Sequence, residues 1–300
     1  MLGSVAVRRA RGVQEVVWAY VRLTKPRIIV LLLVTTVPAM ILAEGGWPSP
    51  WLVLATLAGG AIAAGGANAM NCYFDRDIDS VMLRTRGRPV PAGQVEPERA
   101  AVFGIALGGV GFLIMEAFAN SLAAFLTLGA FAFYVTVYTL LLKRTTPLNI
   151  VIGGASGAMP PVVGWAAVTG EVGLPPLVLF GIIFLWTPPH FWALALNCSS
   201  DYERARVPML PVVLGQEATR RQILLHTLVL VAVTLLLPAL GAVGAVYLGA
   251  ALLLGGLFIL YALRLWRDAS TRASAALFRY SIVYLGLLFV AMAADVLIGV

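Results

Sequence analysis

The chain has 300 residues, 60% of them hydrophobic and 12% charged, with a formal net charge of +7. Soluble domains usually carry about twice that share of charge, so a water-soluble globular protein is excluded. The basic excess also lacks the aromatic–basic interleaving of a nucleic-acid-binding protein.

Residues 1–20 form a basic extension with no small-residue cleavage site, so they read as a retained cytoplasmic segment and not as a signal peptide. A short mitochondrial presequence is the other reading of this stretch. Apolar runs then recur at the length of a membrane crossing. The predicted spans are 28–43, 51–72, 98–116, 121–142, 147–168, 174–197, 222–243, 246–263 and 280–298. Backbone groups in hydrocarbon must pair within the segment, which makes these spans helices. The short alternating segments of a membrane barrel are absent. The expected fold is an all-α membrane protein, a bundle of nine transmembrane helices forming one domain over residues 1–300.

Basic residues set the orientation. All 21 Lys and Arg fall in the N-terminal segment or in the loops after spans 2, 4, 6 and 8. None lies in the opposite loops or at the C-terminus, so the N-terminus is expected in the cytoplasm and the C-terminus outside. Cys72 and Cys198 then sit near the cytoplasmic side, where a disulfide is not expected. The longest polar connections, 73–97 and 198–221, are both cytoplasmic and both follow an even-numbered span.

The first of these loops opens with "NAMNCYFDRDIDSVMLRTRGRP", residues 68–89. Asn71, Asp75 and Asp79 are spaced by four, and four residues advance a helix by about 400°. Their side chains therefore share one face about 6 Å apart, while Asp77 points elsewhere. Like charges at that spacing repel unless a cation lies between them. An amide and two carboxylates suit Mg²⁺ bound together with substrate phosphates. Arg84, Arg86 and Arg88 follow, and guanidinium forks grip phosphate oxygens. Carboxylates for metal followed by arginines for phosphate outline a diphosphate site. An Arg-rich loop alone would be only a topology determinant, but topology does not require acids at strict spacing.

The second loop reads "NCSSDYERARVPMLP", residues 197–211. Asn197 precedes Asp201 by four, and "NCYFD" aligns with "NCSSD" without gaps. Two facing half-sites holding two metals, or one metal–diphosphate cluster, are the expectation from this weak repeat.

Within the spans, Pro188 and Pro189 are expected to break span 6 just before His190. "NIVIGGASGAMPP" is expected to interrupt span 5, with Asn149 and Ser156 as polar contacts there. Tyr73, Phe74, Tyr138, Trp165, Phe191 and Trp192 are candidate linings for a cationic intermediate, or plain packing. His190 reads as an iron ligand, a proton-transfer group or a satisfied core histidine. His226 and the intramembrane acid Asp295 read as structural.

The stretch "NCYFDRDIDSVMLRTRGRPVPAG" resembles the first Asp-rich motif of the UbiA superfamily of intramembrane prenyltransferases. "LTKPRI" at 23–28, "YTLLLKRTTPLNIVIGGASGAMPPVVGWAA" at 138–167, "WTPPHFWALAL" at 186–196 and "DYERARVPMLPVV" at 201–213 resemble its haem-farnesylating branch, in order and along nearly the whole chain. The resemblance implies transfer of the farnesyl group of farnesyl diphosphate to a vinyl group of haem B, giving haem O, with Mg²⁺ accompanying the diphosphate. It implies catalytic and metal roles for Asp75, Asp79 and Asp201 with Asn71. It implies diphosphate or haem contacts for Arg84, Arg88, Lys25, Lys143, Arg144 and His190. It further implies hand-over to a haem A synthase or oxidase assembly machinery, and of a bacterial plasma membrane and a mitochondrial inner membrane the brief N-terminal extension favours the former. Much of the superfamily has an aspartate where this chain has Asn197, a departure shared by the haem branch that weakens Asn197 as a ligand. Three alternatives stay open: an aromatic acceptor such as a quinone precursor or chlorophyll-type ring, a secondary transporter, and a structural assembly factor.

Overall fold

A computed structural model of the chain describes residues 12–299. Among the described residues, nine helical spans are long and apolar enough to cross a membrane. A short amphipathic helix α1 (Val13–Leu23) leads into α2 (Pro26–Glu44). Lys25 joins them in the left-handed region at φ 52°. The proline that follows disfavours the ordinary helical conformation at this position, so the chain turns sharply there.

Next come α3 (Pro50–Phe74), the short α4 (Arg76–Val81), α5 (Pro97–Phe118) and α6 (Ser121–Ala132). The fourth span does not end with α6. It continues as a π-helix over Phe133–Leu142. Hydropathy carries no trace of this wider winding, which often marks functional sites.

Span 5 is interrupted as expected, into α7 (Asn149–Gly157) and α8 (Pro160–Thr169), with Pro160 opening the second half. The expectation of a break in span 6 is corrected. α9 (Leu174–Asn197) runs straight through Pro188 and Pro189, both buried. Neighbouring helices hold the proline turn in place, and the Thr187 hydroxyl donates to the Ile183 carbonyl within it, 2.8 Å away. Packing by neighbouring helices lets membrane helices tolerate proline.

The second cap segment contains α10 (Ser199–Arg204) and α11 (Leu210–Val213). The remaining elements are α12 (Gly215–Thr234), α13 (Leu236–Ala239), α14 (Ala245–Arg267) and α15 (Thr271–Gly299). α12 and α15 begin well before the predicted spans at 222 and 280. Their early turns carry arginines, yet Thr219, Ala273, Ser274 and Leu277 on the same turns are buried. Hydropathy marks the membrane edge, whereas the helix end is set by packing.

The spans form a closed ring in which α15 returns to pack on both α2 and α9. α3 and α5 approach most closely. A methyl group on Gly66 would lie 2.5 Å from the Gly104 carbonyl oxygen, so small residues are what allow this helix pair to touch. At the charged end, Ile78 and Met82 beside α4 pack with Tyr202, Val207 and Met209 from the second loop. The two polar loops thus form one cap over the ring. Arg22 of α1 adds to the cap by donating to the Gly87 carbonyl at 2.7 Å.

Candidate active site

Helical hydrogen bonding continues from α3 into α4. The Asp75 N–H donates to the Asn71 carbonyl at 2.9 Å, and the Asp79 N–H donates to the Asp75 carbonyl at 2.7 Å. The four-residue spacing therefore holds, and Asn71, Asp75 and Asp79 are all buried under the cap. The cations that such a row needs come from three other parts of the chain. Lys143, at the end of the π-helix, pairs with Asp75 Oδ2. Arg88 forks onto Asp79 with contacts of 2.8 and 2.7 Å. Lys25 Nζ donates to Asn71 Oδ1 at 2.8 Å. Asn71 Nδ2 in turn donates to Asp75 Oδ2 at 2.7 Å and to the Thr139 hydroxyl at 3.2 Å.

One atom of this network is left over: Asp75 Oδ1 is buried and has no hydrogen-bond partner. A bare buried carboxylate oxygen is costly, and it is the kind of donor that a hard cation takes. Burial pushes the Lys25 ammonium down to about 8, and the positive charges of Arg88 and Lys143 add to the effect. Burial works against the charge of Arg88, but the adjacent Asp79 carboxylate outweighs it and holds the guanidinium above its ordinary value.

The other expected residues lie around this group. Arg144 forks onto Asp77 at 2.7 Å and donates to the Phe74 carbonyl at 2.9 Å, which pins α4 from outside. The Arg144 hydrogen bond keeps the Asp77 carboxyl at about 2. Arg84 reaches the Tyr202 hydroxyl at 3.5 Å.

Asp201 spends both oxygens on the first loop. Oδ1 and Oδ2 accept the backbone N–H groups of Leu83 and Arg84, each at 3.2 Å, and Arg204 closes over it. Burial alone would raise the Asp201 carboxyl, but the Arg84 and Leu83 N–H groups and Arg204 bring it below the ordinary range. Asn197 accepts from the Ser274 hydroxyl at 2.6 Å. The two motifs do meet, with Asp201 of the second loop latched onto the backbone of the first. Among the described residues no three His, Cys, Asp or Glu side chains gather to hold a metal by themselves.

Beneath the cap a cavity of about 480 Å³ runs into the ring, bounded by α2, α3, α6, the π-helix, α7, α8, α9 and α15. Of the aromatics expected to line it, Tyr138 and Phe191 do so. Tyr73 and Phe74 pair with each other 4.9 Å apart at the rim, and Trp192 packs edge-on against His226 at 5.0 Å. The lining adds Tyr134, Trp186 and Phe278, which hydropathy could not distinguish from packing residues. Tyr134 and Tyr138 share one face of the π-helix, 5.3 Å apart. Gly153 makes room for the second ring, since a methyl group there would sit 2.2 Å from Tyr138 Cδ2. Ser156 and His190 also face the cavity, whereas Asn149 is wholly buried beside it and donates to the Thr146 carbonyl at 2.6 Å.

The UbiA prenyltransferase family model matches residues 32–291. A protoheme IX farnesyltransferase of Gloeobacter violaceus is 58% identical over 277 residues, covering 92% of this chain and 91% of the relative. One from Microcystis aeruginosa is 51% identical over 297 residues, covering 98% and 94%. One from a Roseiflexus species is 53% identical over 276 residues, and the match spans 52% of that longer relative. Among solved structures, a UbiA homologue from Aeropyrum pernix superposes with a TM-score of 0.72 at 19% identity, covering 89% of this chain and 96% of that one. A UbiA homologue from Archaeoglobus fulgidus bound to GPP and Mg²⁺ gives 0.65 at 17%, covering 91% and 99%. At such identities the likeness is one of fold. Nine apolar spans and a family match over most of its length make the chain a multi-pass integral membrane protein that belongs to the UbiA prenyltransferase family.

Proposed function

We propose that the chain transfers the farnesyl group of farnesyl diphosphate to a vinyl group of haem B, yielding haem O. The observation that carries this reading is the buried row Asn71–Asp75–Asp79, ringed by Lys25, Arg88 and Lys143, on the same α3 and π-helix segments whose Asn68, Tyr134 and Tyr138 line an apolar cavity. The acceptor follows from relatives at 51–58% identity that are named for this activity and share more than nine-tenths of their length with the chain. Acids gathered at one end of the ring, and not at mid-membrane, fit a diphosphate better than a transported solute.

The bare Oδ1 of Asp75, the acceptor-only carboxylate of Asp79 and the amide oxygen of Asn71 fit Mg²⁺. These three residues would hold it together with phosphate oxygens. When bound, Mg²⁺ neutralises the diphosphate so that it can leave. Lys25 now rests on the Asn71 amide, Arg88 on Asp79 and Lys143 on Asp75, and a diphosphate would give all three an anion to grip. Arg84 projects from the backbone that Asp201 clamps, so Asp201 is a positioning residue for the arginine loop in this reading. Arg144 acts in the same way through Asp77.

In the reaction the C1–O bond of farnesyl diphosphate breaks and pyrophosphate departs. The vinyl carbon bonds to C1, and water supplies the hydroxyl to the adjacent carbon with loss of a proton. Tyr134 and Tyr138 present ring faces that stabilise the allylic cation, and the apolar cavity withholds water until the carbon–carbon bond has formed. His190 contacts the acceptor. The basic cap faces the cytoplasm of a bacterial cell, from where haem O passes to a haem A synthase or to oxidase assembly.

Calorimetry separates this site from a lipid-binding cavity. Farnesyl diphosphate is expected to bind only with Mg²⁺ and far more tightly than farnesol, and Asp75→Asn should abolish the difference. Equal, metal-independent binding of farnesol and its diphosphate would overturn the reading.

A further inference from the structure

His190 lies in α9 with both ring faces covered. Trp186, one turn earlier, stacks on it at 4.3 Å and 19°. Phe278 of α15 stacks on the other side at 4.6 Å and 26°. Only the edges of the imidazole are free to interact. At one edge Nδ1 lies 2.7 Å from the hydroxyl of Ser281, a fully buried residue of α15. The same hydroxyl lies 2.7 Å from the Phe278 carbonyl oxygen.

Two contacts of that length in a row need two protons. A serine hydroxyl carries one and a carbonyl none. The serine proton serves the carbonyl, so the ring must supply the other, and the bond runs from Nδ1–H to Ser281 Oγ. Trp186 Nε1–H donates to the Ser281 carbonyl at 2.7 Å, which fixes the serine against the helix that carries the histidine. No acidic side chain lines the cavity to compensate an imidazolium. A neutral ring with its proton on Nδ1 has a lone pair on Nε2. That atom makes no hydrogen bond among the described residues, and the ring borders the cavity.

We propose that Ser281 is a positioning residue that fixes His190 as the Nδ1–H tautomer and so presents Nε2 to the cavity as an axial ligand for the iron of a metalloporphyrin acceptor. This rests on the reading of the acceptor as haem. A histidine that donates its far N–H to an oxygen is oriented for ligation and is a more basic ligand. A serine that served only to join α9 to α15 would leave the iron bond untouched.

The tautomer is testable with His190 and Ser281 both intact. The chain has two histidines, so ¹⁵N-histidine NMR of the His226→Gln variant in detergent reads His190 alone. A proton on Nδ1 is expected, and a proton on Nε2 overturns the proposal. Ligation is tested by titrating haem B and, separately, metal-free protoporphyrin, which keeps the vinyl and propionate groups but lacks iron. Haem is expected to bind at least tenfold more tightly than the metal-free ring. Ser281→Ala should shrink that margin severalfold and lower the ferrous iron–histidine stretching frequency, while Ser281→Thr restores both. His190→Ala should remove the margin.

If Ser281→Ala keeps the wild-type margin and frequency, Ser281 is structural only. If His190→Ala keeps them, Nε2 is not the ligand. If neither porphyrin binds the wild-type protein and an aromatic acceptor is prenylated instead, the haem reading has failed, and the inference with it.

Discussion

Asp75 is the residue on which the site turns. It is fully buried, shared by Lys143 and Asn71, and one of its oxygens is unused. Exchanging that oxygen for an amide keeps the shape and removes the charge. Asp75→Asn is expected to lower turnover by roughly 100-fold or more in a protein that still elutes as a folded species from size exclusion. Near-normal turnover would remove the metal role. Asp295 gives the contrast, as an intramembrane acid that works structurally. It accepts the backbone N–H groups of Gly244, Val246 and Tyr247 at the start of α14. Asp295→Ala should cost about 1–3 kcal/mol, read as a lower melting temperature in detergent, with kcat unchanged. The acidic row was legible in the sequence because a four-residue period is local information. The partners were not. Lys143 and Arg144 are adjacent in sequence, yet one reaches Asp75 and the other Asp77. Asn197 finds Ser274 and His190 finds Ser281, partners 77 and 91 residues further along the chain.

At the scale of elements, apolar length revealed how many helices there are but not how they are wound. The wide turn of Phe133–Leu142 brings Tyr138, Thr139 and Lys143 to the site together, and it requires Gly153 across from it. Gly153→Ala is expected to displace the Tyr138 ring and reduce kcat/KM at least tenfold. Gly129→Ala, where a methyl group meets nothing within 4 Å, should leave it unchanged. Equal activity of the two variants would mean that the tyrosine is packing. The prolines of α9 teach a related lesson. A Pro-Pro pair reads as a break when only its missing donors are counted. It stays helical where flanking helices and a threonine hydroxyl support the turn. In span 5 the Pro-Pro pair follows Gly157 and Ala158, and there the helix does divide.

For the whole molecule, the ring and its cap assign different tasks to the two ends. Among the described residues the Lys and Arg belong by connectivity to the capped end, which fixes the expected insertion. A reporter fused after Val300 should be active only outside the cytoplasm, and a cytoplasmic signal would reverse the orientation. The closed ring under a charged cap explains how an allylic cation can form at the membrane edge without capture by bulk water. The fold class and reaction type were recoverable from the sequence because hydropathy, the acidic row and the family strings run the length of the chain. The cavity was not, because it is made by eight elements meeting. The most direct test of the central claim is to incubate the purified protein with haem B, farnesyl diphosphate and Mg²⁺ and weigh the porphyrin product. A haem heavier by one farnesyl group and one hydroxyl, absent when a chelator is present, is the expected result. Unchanged haem, with a benzoate or naphthoate acceptor prenylated in its place, would contradict it.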